Sequence, residues 1–246
     1  MLVEVFPDYE AISDRAAEIV TNQIRKKPDS AIGFATGSTP LGLYQRLIRN
    51  HKEHGLDFSK VTTFNLDEYV GLSPDHDQSY HYFMWTNLFS HVNVDPSCVH
   101  IPQGMADDID AFCSWYEQKI EQVGGLDLQI LGIGGNGHIA FNEPGSPVDS
   151  RTRLVSLSQE TIASNSDGRF FSDPAEVPRC ALSAGIGTIR EASALILLAT
   201  GKKKADAIAA AVEGPFSVDC PASLLQDHAD CTFIIDVAAA SKLTSK

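Results

Sequence analysis

Asp67 and Glu68 stand side by side at the end of a short apolar run, Val61-Thr62-Thr63-Phe64-Asn65. A carboxylate in such a place is partly desolvated, which raises its pKa and suits it to general-base work. Adjacent side chains point in different directions, so at most one of the two faces a substrate. The competing reading is a pair of acids at a helix start, favoured by the macrodipole, and on local grounds it is the stronger. A second set lies in Gly132-Ile133-Gly134-Gly135-Asn136-Gly137-His138-Ile139-Ala140-Phe141-Asn142-Glu143-Pro144. His138 titrates near neutrality, and a carboxylate bonded to one ring nitrogen would fix its tautomer and raise its basicity. Gly132, Gly134 and Gly137 match G-x-G-x-x-G, but Pro144 interrupts the long helix a dinucleotide fingerprint should open, and several strands precede it. A nicotinamide site is rejected. The glycines instead let backbone approach a ligand, with Asn136, His138 and Glu143 arrayed around it.

Two further segments could seat an anion. In Thr36-Gly37-Ser38-Thr39-Pro40, Gly37 permits a tight turn, Ser38 or Thr39 can cap a helix, and Pro40 suits its first turn. Exposed N–H groups and hydroxyls at a helix start bind phosphate, although a plain helix cap would use the same residues. In Thr200-Gly201-Lys202-Lys203-Lys204, three lysines in a first helical turn oppose the macrodipole. An anion there would supply the reason. Metal and nucleophile chemistry is poorly supported. His76 and His81 lie near Asp75 and Asp77 without an H-x-x-x-H or Cys/His set, and no G-x-S-x-G elbow exists.

Elements that could position these groups follow from periodicity. Apolar runs at Leu2–Val5, Ala31–Ala35, Val61–Asn65, Leu126–Ile133, Leu195–Ala199 and Thr232–Val237 read as strands. Between them, 9–26, 39–54, 107–123 and 202–212 carry helical spacing. Strand and helix alternate, which predicts an α/β fold: one open, mostly parallel, Rossmann-like sheet with helices on both faces. No repeat or long linker interrupts residues 1–246, so a single domain is expected. Residues 142–180, with four prolines and little periodicity, read as an excursion of loops and one helix that lids the site. In such sheets ligands sit beyond the carboxyl ends of the strands, and the residues singled out above follow those ends.

Composition narrows the function. The 246 residues are 43% hydrophobic and 21% charged, ordinary for a globular chain. Lys and Arg number 19 against 32 Asp and Glu, a net −13 that disfavours nucleic acid and anionic membrane as partners. Cys98, Cys113, Cys180, Cys220 and Cys231 are an odd number without a C-x-x-C pair, which predicts reduced thiols. The start, Met1-Leu2-Val3-Glu4-Val5-Phe6, has no basic n-region and no apolar h-region, so no secretory leader is expected. A cytoplasmic protein is the expectation.

Taken together, Ala35-Thr36-Gly37-Ser38-Thr39-Pro40, Phe64-Asn65-Leu66-Asp67-Glu68-Tyr69-Val70-Gly71-Leu72, the stretch from Gly132 to Pro144 and Ala211-Val212-Glu213-Gly214 resemble the glucosamine-6-phosphate deaminase family. The segments come in the family's order and span nearly the whole chain. The resemblance implies conversion of glucosamine 6-phosphate and water to fructose 6-phosphate and ammonia, in amino-sugar catabolism, with no organic cofactor and no catalytic metal. It implies that Asp67 moves a proton between C2 and C1 of the opened sugar, that His138 assists ring opening and that Glu143 orients His138. Thr36, Gly37, Ser38, Thr39, Arg169 and Lys204 would hold the phosphate.

Three departures from the family's pattern carry expectations. Asn136 stands where well-known members have Asp, which predicts a shifted pH profile. Some members are hexamers activated by N-acetylglucosamine 6-phosphate through a Ser/Arg/Lys cluster; here Arg153 remains, but Pro147 and Val155 replace the other two. The tail after residue 237 is also short. An unregulated enzyme is expected, a monomer or weak homo-oligomer. The rival readings are a 6-phosphogluconolactonase, a sugar-phosphate sensing module, and an isomerase that releases no ammonia.

Overall fold

A computed structural model describes residues 1–165, 171, 173 and 176–244. The chain opens with β1 (Leu2–Phe6) and α1 (Tyr9–Lys26), whose start is capped by Asp8 accepting the Ala11 N–H at 2.9 Å. The apolar stripe of α1, Ile12, Ala16, Val20 and Ile24, is buried as its spacing requires. β2 (Ala31–Phe34), α2 (Leu41–His54), β3 (Thr62–Asn65), β4 (Asp67–Tyr69) and α3 (Tyr80–Asn87) follow. Next come β5 (Val99–His100), α4 (Ile109–Gln122), β6 (Leu128–Leu131), β7 (Arg153–Ser156) and α5 (Gln159–Asn165). The order closes with β8 (Cys180–Ser183), α6 (Ile186–Arg190), β9 (Leu195–Ala199), α7 (Ala205–Glu213) and β10 (Cys231–Asp236).

Among the described residues, seven strands form one open sheet in the order β1-β10-β9-β6-β2-β3-β5, and every pairing is parallel. The expected α/β architecture is therefore present. From β2 the chain winds outward through β3 and β5; from β6 it winds the other way through β9 and β10. The direction reverses between β2 and β6, and such a switch point opens a crevice at the carboxyl ends of its strands. β2, β6 and β9 are buried along their whole length, which their largely apolar sequences reflect, Gln129 in β6 being the exception. Beside β3, Phe64 meets the Tyr116 ring edge-on at 5.8 Å. The Tyr116 hydroxyl donates to Asn65 O at 2.7 Å and accepts the Asn65 N–H at 3.1 Å, fixing the end of β3.

The structure departs from the periodicity in several places, α3, β5 and α6 among them. β4, β8 and β7 form a second, antiparallel sheet of three short strands, where sequence spacing indicated only loops and a helix. Helix α2 begins at Leu41 rather than Thr39, and no side chain caps it. The lysines expected in a first α-helical turn form a 3-10 turn, Lys202–Lys204, ahead of α7. None of the five cysteines is in a disulfide. Among the described residues, no helix is long and apolar enough to cross a membrane.

Candidate active site

β9, β6, β2 and β3 are consecutive neighbours in the sheet, all parallel, so their carboxyl ends line one edge. At ordinary strand spacing those four ends span roughly 15 Å, the scale of a hexose phosphate with its contacts. After β2 the chain turns at Gly37, whose φ of 100° is open to glycine and strained for other residues. Because neither Ser38 nor Thr39 caps α2, their hydroxyls are not engaged by the helix start. The plain-cap reading of this loop therefore fails. The Tyr80 hydroxyl, pushed well above its ordinary pKa chiefly by burial, bonds Thr36 on this loop.

Beyond β3 the two adjacent acids separate. Glu68 Oε1 accepts the N–H groups of Tyr69 at 2.8 Å and Tyr80 at 3.0 Å, and Oε2 accepts that of His81 at 2.9 Å. Glu68 thus holds the N-terminus of α3 from strand β4, so neither acid stands at a helix start of its own. Asp67 is different. The residue is 6% exposed, and its carboxyl receives no side-chain hydrogen bond among the described residues. Burial, and secondarily the neighbouring Glu68 charge, push its pKa up to about 8. Burial also raises Glu68, but three N–H donors counter it. Three N–H donors thus favour the ionised form of Glu68, whereas burial favours the protonated form of Asp67.

After β6 the glycine-rich stretch builds a relay. Glu143 Oε2 accepts the Asn136 amide Nδ2 at 2.8 Å, and Asn136 Oδ1 lies 2.8 Å from His138 Nδ1. The amide orientation follows from its neighbours: the carboxylate can only accept, so the amide nitrogen faces it and the oxygen faces His138. An amide oxygen also only accepts, which places the ring proton on Nδ1 and leaves Nε2 with its lone pair. Glu143 itself stands 3.7 Å from His138 Nδ1, with Asn136 between them. Its Oε1 accepts hydroxyls from Ser158 at 2.9 Å and from Thr161. Burial would raise the Glu143 pKa, but the bonds from Thr161 and Asn136, the His138 charge and Ser158 together hold it below the usual carboxylate value. Gly134 lies directly under the imidazole; a Cβ there would sit 2.2 Å from His138 Cε1.

The small antiparallel sheet joins these two groups. Asp67 pairs with Ser183 across β4 and β8, and the Ser183 hydroxyl accepts the Phe141 N–H at 3.1 Å. Asn142 adds a bond from Nδ2 to Ala184 O at 2.8 Å, and Arg153 donates to Asn142 Oδ1 at 2.9 Å. Tyr80 stacks on Phe141 at 6.1 Å and contacts Tyr69 at 5.0 Å. Tyr80 thus touches the Thr36 loop, β4 and the His138–Glu143 stretch together. Beyond β9, buried Asp236 accepts the Gly201 N–H at 2.9 Å and the Thr200 hydroxyl, fixing the turn that leads into half-buried Lys204. Arg169 lies outside the described residues. Ser158, Thr161 and Tyr80 escaped the sequence reading; the only local sign of the first two is a serine with threonine three positions on, an ordinary helix start.

The profile of a family described as glucosamine-6-phosphate isomerases/6-phosphogluconolactonase matches residues 8–234. A glucosamine-6-phosphate deaminase of Thermoanaerobacter pseudethanolicus is 52% identical over 241 residues, 98% of this chain and 94% of that protein. Glucosamine-6-phosphate deaminase 2 of Bacillus subtilis is 53% identical over 247 residues, covering 100% and 98%. A solved monomeric glucosamine-6-phosphate deaminase superposes with a TM-score of 0.95 at 46% identity, over 98% of this chain and 100% of that one. A 6-phosphogluconolactonase of Trypanosoma cruzi shares the fold, with a TM-score of 0.78 at 22% identity over 99% and 97%.

Proposed function

The chain belongs to the glucosamine-6-phosphate isomerase/6-phosphogluconolactonase family, and we propose that it converts glucosamine 6-phosphate and water to fructose 6-phosphate and ammonia. The observation that carries this reading is the alignment of four strand ends, bearing the Thr36–Thr39 loop, Asp67, the Asn136–His138–Glu143 relay and Lys204, along one sheet edge. Phosphate at Thr36–Thr39 and Lys204, joined by Arg169, orients the sugar. Its binding energy positions C1 and C2, so losing the seat lowers turnover as well as affinity.

Each residue type then has a step. His138, unprotonated at Nε2, takes a proton from the C1 hydroxyl and returns it to the ring oxygen as the ring opens. Ionised Asp67 removes the C2 proton and delivers it to C1, which turns the C2 amine into an imine. Water adds at C2 and ammonia leaves, so the net change is isomerisation with hydrolysis of a carbon–nitrogen bond. A cationic amino group at C2 favours the ionised form of the buried Asp67 carboxyl. These steps use side-chain acids and bases alone, so the reading assigns no organic cofactor and no catalytic metal.

The lactonase reading needs no base at C2 and leaves a buried, proton-holding Asp67 without a task. The same proposal treats residues 1–246 as one domain with 142–180 covering the site. It describes a cytoplasmic monomer or weak homo-oligomer, active without an effector. Ammonia release from glucosamine 6-phosphate, without added metal and over a range of substrate concentrations, tests it. A hyperbolic curve is expected, and Asp67→Asn should lower turnover by ~10²–10⁴-fold while sparing substrate binding. Hydrolysis of 6-phosphogluconolactone with no ammonia from the amino sugar would reject it. Sigmoidal kinetics abolished by N-acetylglucosamine 6-phosphate would reject its unregulated part.

A further inference from the structure

We propose that Thr161, with Ser158, is a positioning residue for the reaction: its hydroxyl keeps Glu143 set so that Asn136 holds His138 protonated at Nδ1 and unprotonated at Nε2. This rests on the proposed role of the relay and extends it to the first turn of α5. The carboxylate divides its two oxygens. Oε2 serves Asn136, while Oε1 is held by the Thr161 and Ser158 hydroxyls. Thr161 is 4% exposed, so its hydroxyl is committed inside the protein rather than to solvent.

A purely structural use of this turn would not need the Thr161 hydroxyl. Ser158 already caps α5, its Oγ accepting the Thr161 N–H at 3.1 Å and its O accepting the Ile162 N–H at 3.0 Å. Valine has the same shape as threonine and would fill the same buried space. What valine cannot do is donate to a half-buried carboxylate. Without that donor, burial meets less opposition and the balance moves toward a protonated Glu143. A protonated Glu143 becomes a donor, and its best acceptor is the Asn136 amide oxygen. The amide then turns its nitrogen toward the ring, His138 Nδ1 must accept, and the ring proton moves to Nε2. That tautomer has no lone pair to offer the sugar. Among the described residues, the titratable group facing Glu143 is His138 itself.

The tautomer is directly measurable. Imidazole ¹⁵N NMR of the full-length protein near neutral pH should show His138 protonated at Nδ1, and Thr161→Val should move it toward protonation at Nε2. Turnover of glucosamine 6-phosphate should fall about tenfold or more, with KM changed less than threefold, and Thr161→Ser should restore both readouts. If Thr161→Val fails to fold, Thr161→Ala removes the same hydroxyl and is read in its place. A variant with the wild-type tautomer and turnover, alongside a Glu143→Gln protein that is impaired, overturns the role of Thr161 and leaves the relay standing. Unimpaired turnover in Glu143→Gln overturns the relay and this inference with it.

Discussion

The Asn136 amide oxygen lies 2.8 Å from His138 Nδ1, and it holds the ring without adding a charge. Asn136→Asp would put a carboxylate in that place, next to Glu143. An opposite charge at this distance favours imidazolium, so the His138 titration should rise by about one unit or more. The pH–rate profile should move to higher pH with it, and activity should persist. Imidazole NMR and kcat/KM against pH check this; a variant that titrates like the wild type would show that Asn136 has no electrostatic part.

Asp67 gives stability a pH dependence of definite sign. An unfolded aspartate titrates near ~4, whereas the folded carboxyl is pushed up to about 8 by burial. Between those values the folded state keeps a proton that the unfolded chain has lost, so stability falls as pH rises and the loss is complete above the folded value. Asp67→Asn removes the titration. The two proteins should melt together near ~pH 4, and around the folded value the variant should melt several degrees higher. Thermal scans across that range decide it; a constant offset would mean that Asp67 does not titrate out of its ordinary range.

Glu68→Gln should weaken α3 and retune its neighbour. Glutamine can accept through one oxygen where the carboxylate now accepts three N–H groups. The loss should be about 1–2 kcal/mol in chemical unfolding. Removing the like charge should also lower the Asp67 pKa, so the acidic limb of kcat/KM moves to lower pH. An unmoved limb would place the charge of these adjacent acids elsewhere.

Gly134→Ala tests the packing under the relay. The added Cβ would lie 2.2 to 2.4 Å from three atoms of the His138 ring, so the ring must shift. A displacement of about 1 Å costs on the order of 10²-fold in turnover. Circular dichroism should remain native while kcat falls. Full activity would mean that the imidazole is free to move without consequence.

Much of this was readable in the sequence, and the failures have physical causes. Apolar runs located β2, β3, β6 and β9, because strands buried on both faces need little else. Their order placed Asp67, His138 and Lys204 after strand ends. The division of labour between Asp67 and Glu68 was not readable, since it depends on where α3 begins and which carboxylate reaches its N–H groups. The sheet of β4, β7 and β8 escaped because its short strands begin or end on polar residues and carry no sustained apolar run. Its pairing sets Ser183 opposite Asp67, and Ser183 and Ala184 in turn hold Phe141 and Asn142. Thr161 was hidden for a different reason. Its partner Glu143 is eighteen positions earlier, and no local pattern signals that contact.

The pairing of β1 with β10 sets the order in which this molecule can be completed. β1 is the edge strand, and its sheet neighbour is built from residues 231–236. During synthesis the first strand must therefore wait, unpaired, until residues 231–236 have left the ribosome. Closing so distant a contact is slow. Shortening the protein before residue 231 would strand both ends of the sequence at once, and such a fragment should be a poor folder even though every group assigned to chemistry is still encoded in it.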